Sequence, residues 1–173
     1  ETGYAGYCAY ATGTTAQAAI TYSNVFDTTN FTFSLWVNPL LIKSGGAYTN
    51  IILGRENYGV SGFRFGIDTN QTPIFWTTQS GGSLSIQSAT SIALNQYSHV
   101  VVTYNGTTAK MYVNGALTAT ATGTYYAPAN VQLVINGGIG GTQSSNSYID
   151  DVRAYNRELS GDEVSRLYSS NVF

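Results

Sequence analysis

The stretch from Ser98 to Ala121 constrains this chain more than any other. Ser98-His-Val-Val-Val-Thr-Tyr104 is β-branched and aromatic throughout. Lys110-Met-Tyr-Val113 and Ala116-Leu-Thr-Ala119 flank Asn114-Gly115. An Asn-Gly pair between two such runs suits a type I′ hairpin, which needs positive φ at both central residues. Asn105-Gly106 reverses the chain one step earlier, within a slightly longer loop. The segment 98–121 therefore predicts a three-strand antiparallel meander, and such a sheet must find a second layer to bury its apolar face.

The same pattern recurs along the sequence. Alternating β-branched and aromatic runs predict strands at 17–23, 31–38, 48–54, 62–68, 72–77, 83–88, 98–104, 109–114, 116–121, 131–136 and 147–155. Gly45-Gly46, Gly81-Gly82, Gly137-Gly138 and Gly140-Gly141 mark further loops. Phe31, Phe33, Leu35 and Val37 share one face of their strand, and Thr32, Ser34, Trp36 and Asn38 share the other. Trp36 then needs cover from a loop or a second layer. One helix is signalled, over 161–168. Ser160 and Glu163 have capping-box spacing, Leu159 and Val164 can staple, and Val164, Leu167 and Tyr168 form an apolar stripe. Eleven short strands with hairpin turns predict two stacked antiparallel sheets, an all-β sandwich with one short C-terminal helix. No repeat or composition break divides the chain, so 1–173 is expected to form one domain.

Charge then limits the partners. The chain has seven Lys+Arg and nine Asp+Glu, a net charge of −2. That gives no basic patch for nucleic acid or an anionic membrane surface. No apolar stretch approaches the roughly 20 residues of a membrane span. Thr, Ser and Asn supply 53 of the 173 residues, so hydroxyls and amides must wet the surface. Lone Cys8 forbids an intramolecular disulfide and reads as a small buried residue. Lone His99 lies in an apolar run and reads as a strand residue. Glu1-Thr2-Gly3 is no signal peptide and resembles a scar from a secretion vector.

Three blocks carry a family resemblance. Phe31-Thr-Phe-Ser-Leu-Trp-Val-Asn-Pro39 resembles the early strand of laminin-G-like, concanavalin A-like jelly rolls. Residues 97–115 resemble the family's "W-x-H-V-x-x-T-Y-D-G…Y-V-D-G" meander. Tyr148-Ile-Asp-Asp-Val-Arg-Ala-Tyr-Asn-Arg-Glu-Leu-Ser160, continuing to Tyr168, resembles its closing "I-D-E-V-R-I-Y-N-R-A-L-S" segment. The blocks follow the family's order. The resemblance implies a jelly roll, a fold that hosts lectins, carbohydrate-binding modules, adhesins and enzymes. Two departures stand out. Ala11-Thr12-Gly13 occupies the place of a common "F-D-G", which removes a calcium ligand, and Tyr97 replaces a common Trp.

The chemistry of hydrolysis is missing. Glycosidases need paired carboxylates about 5–9.5 Å apart. The acids are scattered, and no E-x-D-x-x-E run occurs. Asp150 and Asp151 are adjacent and are expected on opposite strand faces. A nucleophilic triad would need His99, and no G-x-S-x-G elbow exists. The sequence predicts no enzyme.

Recognition is the expected role. A glycan site pairs an aromatic platform with amide, carboxylate and guanidinium groups. The candidates are Arg55, Asn57 and Tyr58 in a predicted post-strand loop, Trp76 at a strand end, and Tyr125 and Tyr126 in a Gly/Pro-bounded connection. Aromatics in a sandwich mostly fill the core, so core packing is the competing reading for Trp76. Tyr-rich loops also suit protein partners. Asp150 is expected to share a face with Val152 and Ala154 and so to be partly buried, which calls for a cation or several donors. The family resemblance implies one structural calcium near Asp150, with Asp27 as a second candidate; the competing reading has Asp150 capping a loop, or Asp151 pairing with Arg153 or Arg157. Among the N-x-S/T sequons, Asn70 and Asn105 lie in turns open to glycosylation, and Asn30 borders a strand. Together these features predict a secreted or cell-surface module of a larger multidomain protein, without membrane insertion. It would bind glycan or a cell-surface glycoprotein, with protein binding or a spacer role as the alternative.

Overall fold

The computed structural model describes residues 9–11, 17–45, 49–57, 59–77, 84–138 and 143–170. Cys8, Tyr58 and the Ala11–Gly13 departure at Thr12 fall wholly or partly outside them. The strands are β1 (Ala9–Ala11), β2 (Ala18–Ile20), β3 (Phe31–Leu41), β4 (Ile51–Asn57), β5 (Ser61–Ile67) and β6 (Pro73–Thr77). They continue with β7 (Ser85–Gln87), β8 (Ser98–Tyr104), β9 (Thr108–Val113), β10 (Ala116–Thr122), β11 (Leu133–Ile135) and β12 (Asn146–Tyr155). Helix α1 (Gly161–Ser170) closes the chain.

The strands form two six-stranded sheets, a first in the order β1-β12-β3-β8-β9-β10 and a second in the order β2-β11-β4-β5-β6-β7. Every named strand pairing is antiparallel. The meander is β8-β9-β10, and Asn114 (φ 50°) with Gly115 (φ 79°) makes its second turn. Gly115 is also a packing requirement: a Cβ there would lie 3.1 Å from the Tyr168 ring. Strand β1 was not anticipated. Its Ala-Tyr-Ala sequence alternates too briefly to register, and it exists by pairing with β12.

The core fills the space between the sheets. Phe31, Phe33, Leu35 and Val37 face inward, as their alternation predicts. Phe33 lies 4.6 Å from Phe63, Phe63 lies 5.1 Å from Phe75, and Phe31 lies 5.1 Å from Tyr125 (ring centroids). Such stacked, tilted and edge-on rings add about 0.5–1.5 kcal/mol per pair beyond area burial.

Helix α1 is the second cover over the first sheet. Leu159 and Val164 pack with Val101 and Tyr112 on that sheet's outer face. Trp36 is buried there, stacked 5.7 Å from Tyr168. The capping box forms as its spacing predicts: the Glu163 backbone N–H donates to Ser160 Oγ, and the Ser160 N–H donates to Glu163 Oε2 at 2.8 Å.

Two expectations fail at strand level. β4 extends to Asn57, so Arg55, Glu56 and Asn57 lie in a strand and not in a loop. Charged side chains argue against a strand only when they lack partners, and here they have them. In β12 the register with β3 shifts between Asp150 and Arg153. The bulge resets the alternation: Val152 joins the core, while Asp150 lies opposite Trp36 and Arg153 opposite Ser34, whose side chains point outward. Asp150 therefore does not share a face with Val152 and Ala154.

Candidate functional site

Arg55 organises one end of the sandwich. It lies opposite Phe63, which faces the core. Its guanidinium is fully buried, a placement that demands a partner for nearly every N–H. Nη2 donates to Asp27 Oδ1 and to the Pro128 carbonyl at 2.8 Å. Nη1 donates to the Phe26 carbonyl at 2.9 Å, and Nε to the Val131 carbonyl at 3.2 Å. The planar fork of Arg is suited to this divergent set of acceptors. Arg55 thus ties β4 both to the loop before β3 and to the connection from β10 to β11.

Asp27 answers from that loop. Its Oδ2 accepts the Tyr22 hydroxyl at 2.5 Å. The Tyr22 hydrogen bond and the Arg55 charge hold the Asp27 carboxyl below its ordinary range. The same bond raises the Tyr22 phenol. Neighbouring tyrosines on the connection diverge. Tyr125 turns into the core, where burial pushes its phenol up to about 12. Tyr126 turns out and is 57% exposed. Its carbonyl accepts the Gly62 N–H at 2.9 Å, which seats it beside the β4–β5 turn. Exposed Val60 lies in that turn and exposed Asn57 at its start. One rim therefore presents Tyr126, Asn57, Asp27 and Tyr22 to solvent, above a buried Arg55.

The candidate ligand-binding residues separate into three places. Asn57 and Tyr126 share the rim. Arg55 and Tyr125 are beneath it and buried, so they support the surface and do not form it. Trp76 is elsewhere: it lies half-buried on β6, opposite Arg64 on the outer face of the second sheet. Core packing does not describe it either. Tyr22 was missed because it falls within the predicted strand 17–23, whereas β2 ends at Ile20 and leaves it in the segment that follows.

The two expected calcium ligands do not converge. Asp27 belongs to the rim, where both of its oxygens are engaged. Asp150 is on β12, and its Oδ1 accepts the Asp151 N–H at 2.7 Å. Among the described residues, no three His, Cys, Asp or Glu side chains gather at one point. Asp151 has positive φ (46°) within the bulge and pairs with Arg153 at 2.8 Å, so its carboxylate turns to Arg153's side of the sheet. The expectation that Asp150 and Asp151 point to opposite faces assumed regular alternation, which the bulge removes.

His99 and Ser34 make a hydrogen-bonded pair, Nε2 to Oγ at 2.8 Å. Both are buried beneath Trp36 and Tyr168, and His99 Nδ1 has no partner. A nucleophile needs an oriented base and access to substrate; this pair has neither. Burial, with the Arg153 charge adding, lowers His99 to about 4. At the turns, Asn70 and Asn105 are exposed. Asn105 Oδ1 accepts from the Thr107 hydroxyl at 3.1 Å and from the Thr108 N–H at 2.9 Å.

Comparison with known proteins places this geometry. The structure is similar to domain 4 of AbnA, an extracellular GH43 arabinanase from Geobacillus stearothermophilus, solved in complex with arabinotriose. The TM-score is 0.68 at 17% identity, over 94% of this chain and 87% of that one. It is similar to the binding domain of botulinum neurotoxin serotype C1, with TM-score 0.68 at 21% identity over 91% of this chain. It spans only 41% of that chain. It also resembles a heptameric SAP-like pentraxin from Limulus polyphemus, with TM-score 0.59 at 19% identity, over 83% of this chain and 71% of that one. No curated protein matches the sequence. At these identities the likenesses establish the fold. A family model, Laminin_G_3, matches residues 12–165, most of the chain, and so the chain belongs to the concanavalin A-like lectin/glucanases superfamily.

Proposed function

We propose that the chain is a non-catalytic, extracellular carbohydrate-recognition module of a larger protein, and that the Arg55-supported rim is its binding surface. One observation carries this reading. Tyr126 is a largely exposed aromatic on a connection that buried Arg55 pins to the sheet through Pro128 and Val131. A loop fixed before binding loses little entropy when a ligand arrives. A tyrosine ring offers an apolar face to a sugar ring, and the amide of exposed Asn57 suits its hydroxyls. The arabinotriose bound to the arabinanase domain supports carbohydrate as the ligand class. The three carbonyls that hold Arg55, from Phe26, Pro128 and Val131, support a rigid site more than a catalytic one.

The test is a glycan array, with linear arabino-oligosaccharides included, followed by titration of Tyr126→Ala. Loss of about tenfold in affinity is expected, with an unchanged melting temperature. An array without hits on folded protein would defeat the reading. Capture of a host-surface protein that survives deglycosylation would favour a protein partner instead. Calcium is tested in parallel by calorimetry. Asp150 has no ion-pair partner among the described residues, so a rise in melting temperature when calcium is added to EDTA-treated protein, lost in Asp150→Asn, would support an ion beside it.

A further inference from the structure

All seven Lys and Arg side chains are among the described residues, so every cation can be placed against the rim. Arg55 is the cation at the rim, and it is fully buried. Its guanidinium is engaged by Asp27 and three carbonyls, and a ligand cannot reach it. Lys43 lies at the far end of β4, where its N–H donates to Asn50 Oδ1 and its Nζ to the Ser144 carbonyl. The whole length of β4, roughly 20 Å, separates it from Asn57. Arg64 is 4% exposed and held by Glu56 on the outer face of the second sheet. Lys110, Arg153 and Arg157 pair with Glu158, Asp151 and Glu163, and Arg166 is on α1. These four belong to the first sheet, its helix or the link between them, and the core separates them from the β4–β5 turn.

The polar groups that remain at the rim favour a ligand that donates hydrogen bonds. Asp27 is exposed and anionic, while its own cation lies beneath it. Tyr22 gives its proton to Asp27 Oδ2, so its oxygen can only accept. The Asn57 amide and the Tyr126 hydroxyl can each donate and accept. A sugar hydroxyl brings a donor. Sulfate and carboxylate groups bring acceptors alone, and beside Asp27 they meet a like charge. The net charge of −2 opposes them at longer range.

We propose that the rim takes uncharged sugar and refuses sulfated, sialylated and uronic-acid glycans, with Asp27 as the group that sets this selectivity. The inference rests on the rim being a carbohydrate site and adds the charge class of its ligand. Affinity then comes from contact with Tyr126 and Val60, which are 57% and 60% exposed, and from hydroxyls bound by Asn57. Ion pairing contributes nothing, because the guanidinium beneath the rim is already enclosed.

The experiment uses the whole chain on an array that prints neutral glycans beside their sialylated, sulfated and uronic-acid counterparts, in EDTA and again in calcium. Hits are expected among the neutral members alone, lost in Tyr126→Ala. Their strength should change less than about twofold between roughly 0.02 M and 0.5 M salt, since no exposed ion pair is there to be screened. Val60→Lys sets a cation on the exposed turn beside Tyr126. It should strengthen binding of the acidic counterparts about twofold to fivefold at low salt, and the gain should vanish at high salt. Acidic members bound as tightly as their neutral counterparts overturn the proposal. So does acidic binding that appears only in calcium, because the ion would then be the cation the rim lacks, and so does a Val60→Lys protein without the gain. In each of these cases, hits lost in Tyr126→Ala would leave the rim reading standing. An array without any hit defeats both.

Discussion

Among the described residues Arg55 is the largest fully buried side chain, and its environment fixes what substitution there will do. Lysine keeps the charge but cannot reach Asp27 and three divergent carbonyls from one position. Arg55→Lys should lower stability by about 1–3 kcal/mol, the cost of leaving buried carbonyl acceptors without a donor. The urea midpoint measures it; a loss below one kcal/mol, roughly a surface value, would mean that Arg55 is not the clamp described. His99 has a pH signature. Its proton is disfavoured in the folded state, with a value of about 4 against 6.5 for the ordinary side chain. Between those values the unfolded chain binds a proton that the folded chain refuses. Stability therefore falls as pH drops through that window, by up to about 1.4 kcal/mol per unit. His99→Gln should lack this component, so the difference between parent and variant should narrow toward pH 4. A gap that stays constant would show that His99 is not held neutral. His99 was legible as a strand residue, but the role of Arg55 was not. Arg55 and Asp27 are 28 residues apart, and nothing in local pattern announces a partner at that distance.

At the scale of elements, the β12 bulge and the cap of α1 show opposite degrees of legibility. The cap was readable because every group in it lies within four residues. Ser160→Ala should cost about 1 kcal/mol, read from the urea midpoint at neutral pH. Arg157 and the Ser160 N–H lower Glu163 to about 2. The stability this contributes is present above the ordinary carboxylate value and is lost as pH falls toward 2, so the Glu163→Gln penalty should shrink in acid. The bulge was not readable, because alternation in sequence says nothing of where a ladder skips a residue. Asp151 adopts φ of 46° there, a region that disfavours side chains by roughly 1–2 kcal/mol. Both Asp151→Ala and Asp151→Gly lose the Arg153 pair, but only glycine relieves the backbone. Asp151→Gly should therefore be the more stable of the two by about 1 kcal/mol; equal melting temperatures would argue against strain at this position.

At the scale of the molecule, the separation of Asp27 from Asp150 assigns Asp27 to the clamp. Asp27→Asn should destabilise the protein equally in EDTA and in calcium, since what it loses is the Arg55 pair; a loss confined to calcium-loaded protein would contradict this. The sandwich, its two hairpin turns, the inward face of β3 and the capped helix all followed from the sequence, because they depend on period, turn chemistry and neighbours close along the chain. The closing motif from Tyr148 and the meander placed the family as well. The surfaces did not follow. Arg55, Tyr125 and Tyr126 looked alike as loop residues, yet a strand extension and a core contact buried the first two and left the third exposed. Trp76 and Arg64 came together through register between β5 and β6, and Glu56 was buried by backbone some 80 residues away in sequence. Sequence determined which residues could pair with water and which with a core. Tertiary structure decided which polar groups were taken out of water, because burial of a charge depends on partners that only the packed sheets bring within hydrogen-bond reach.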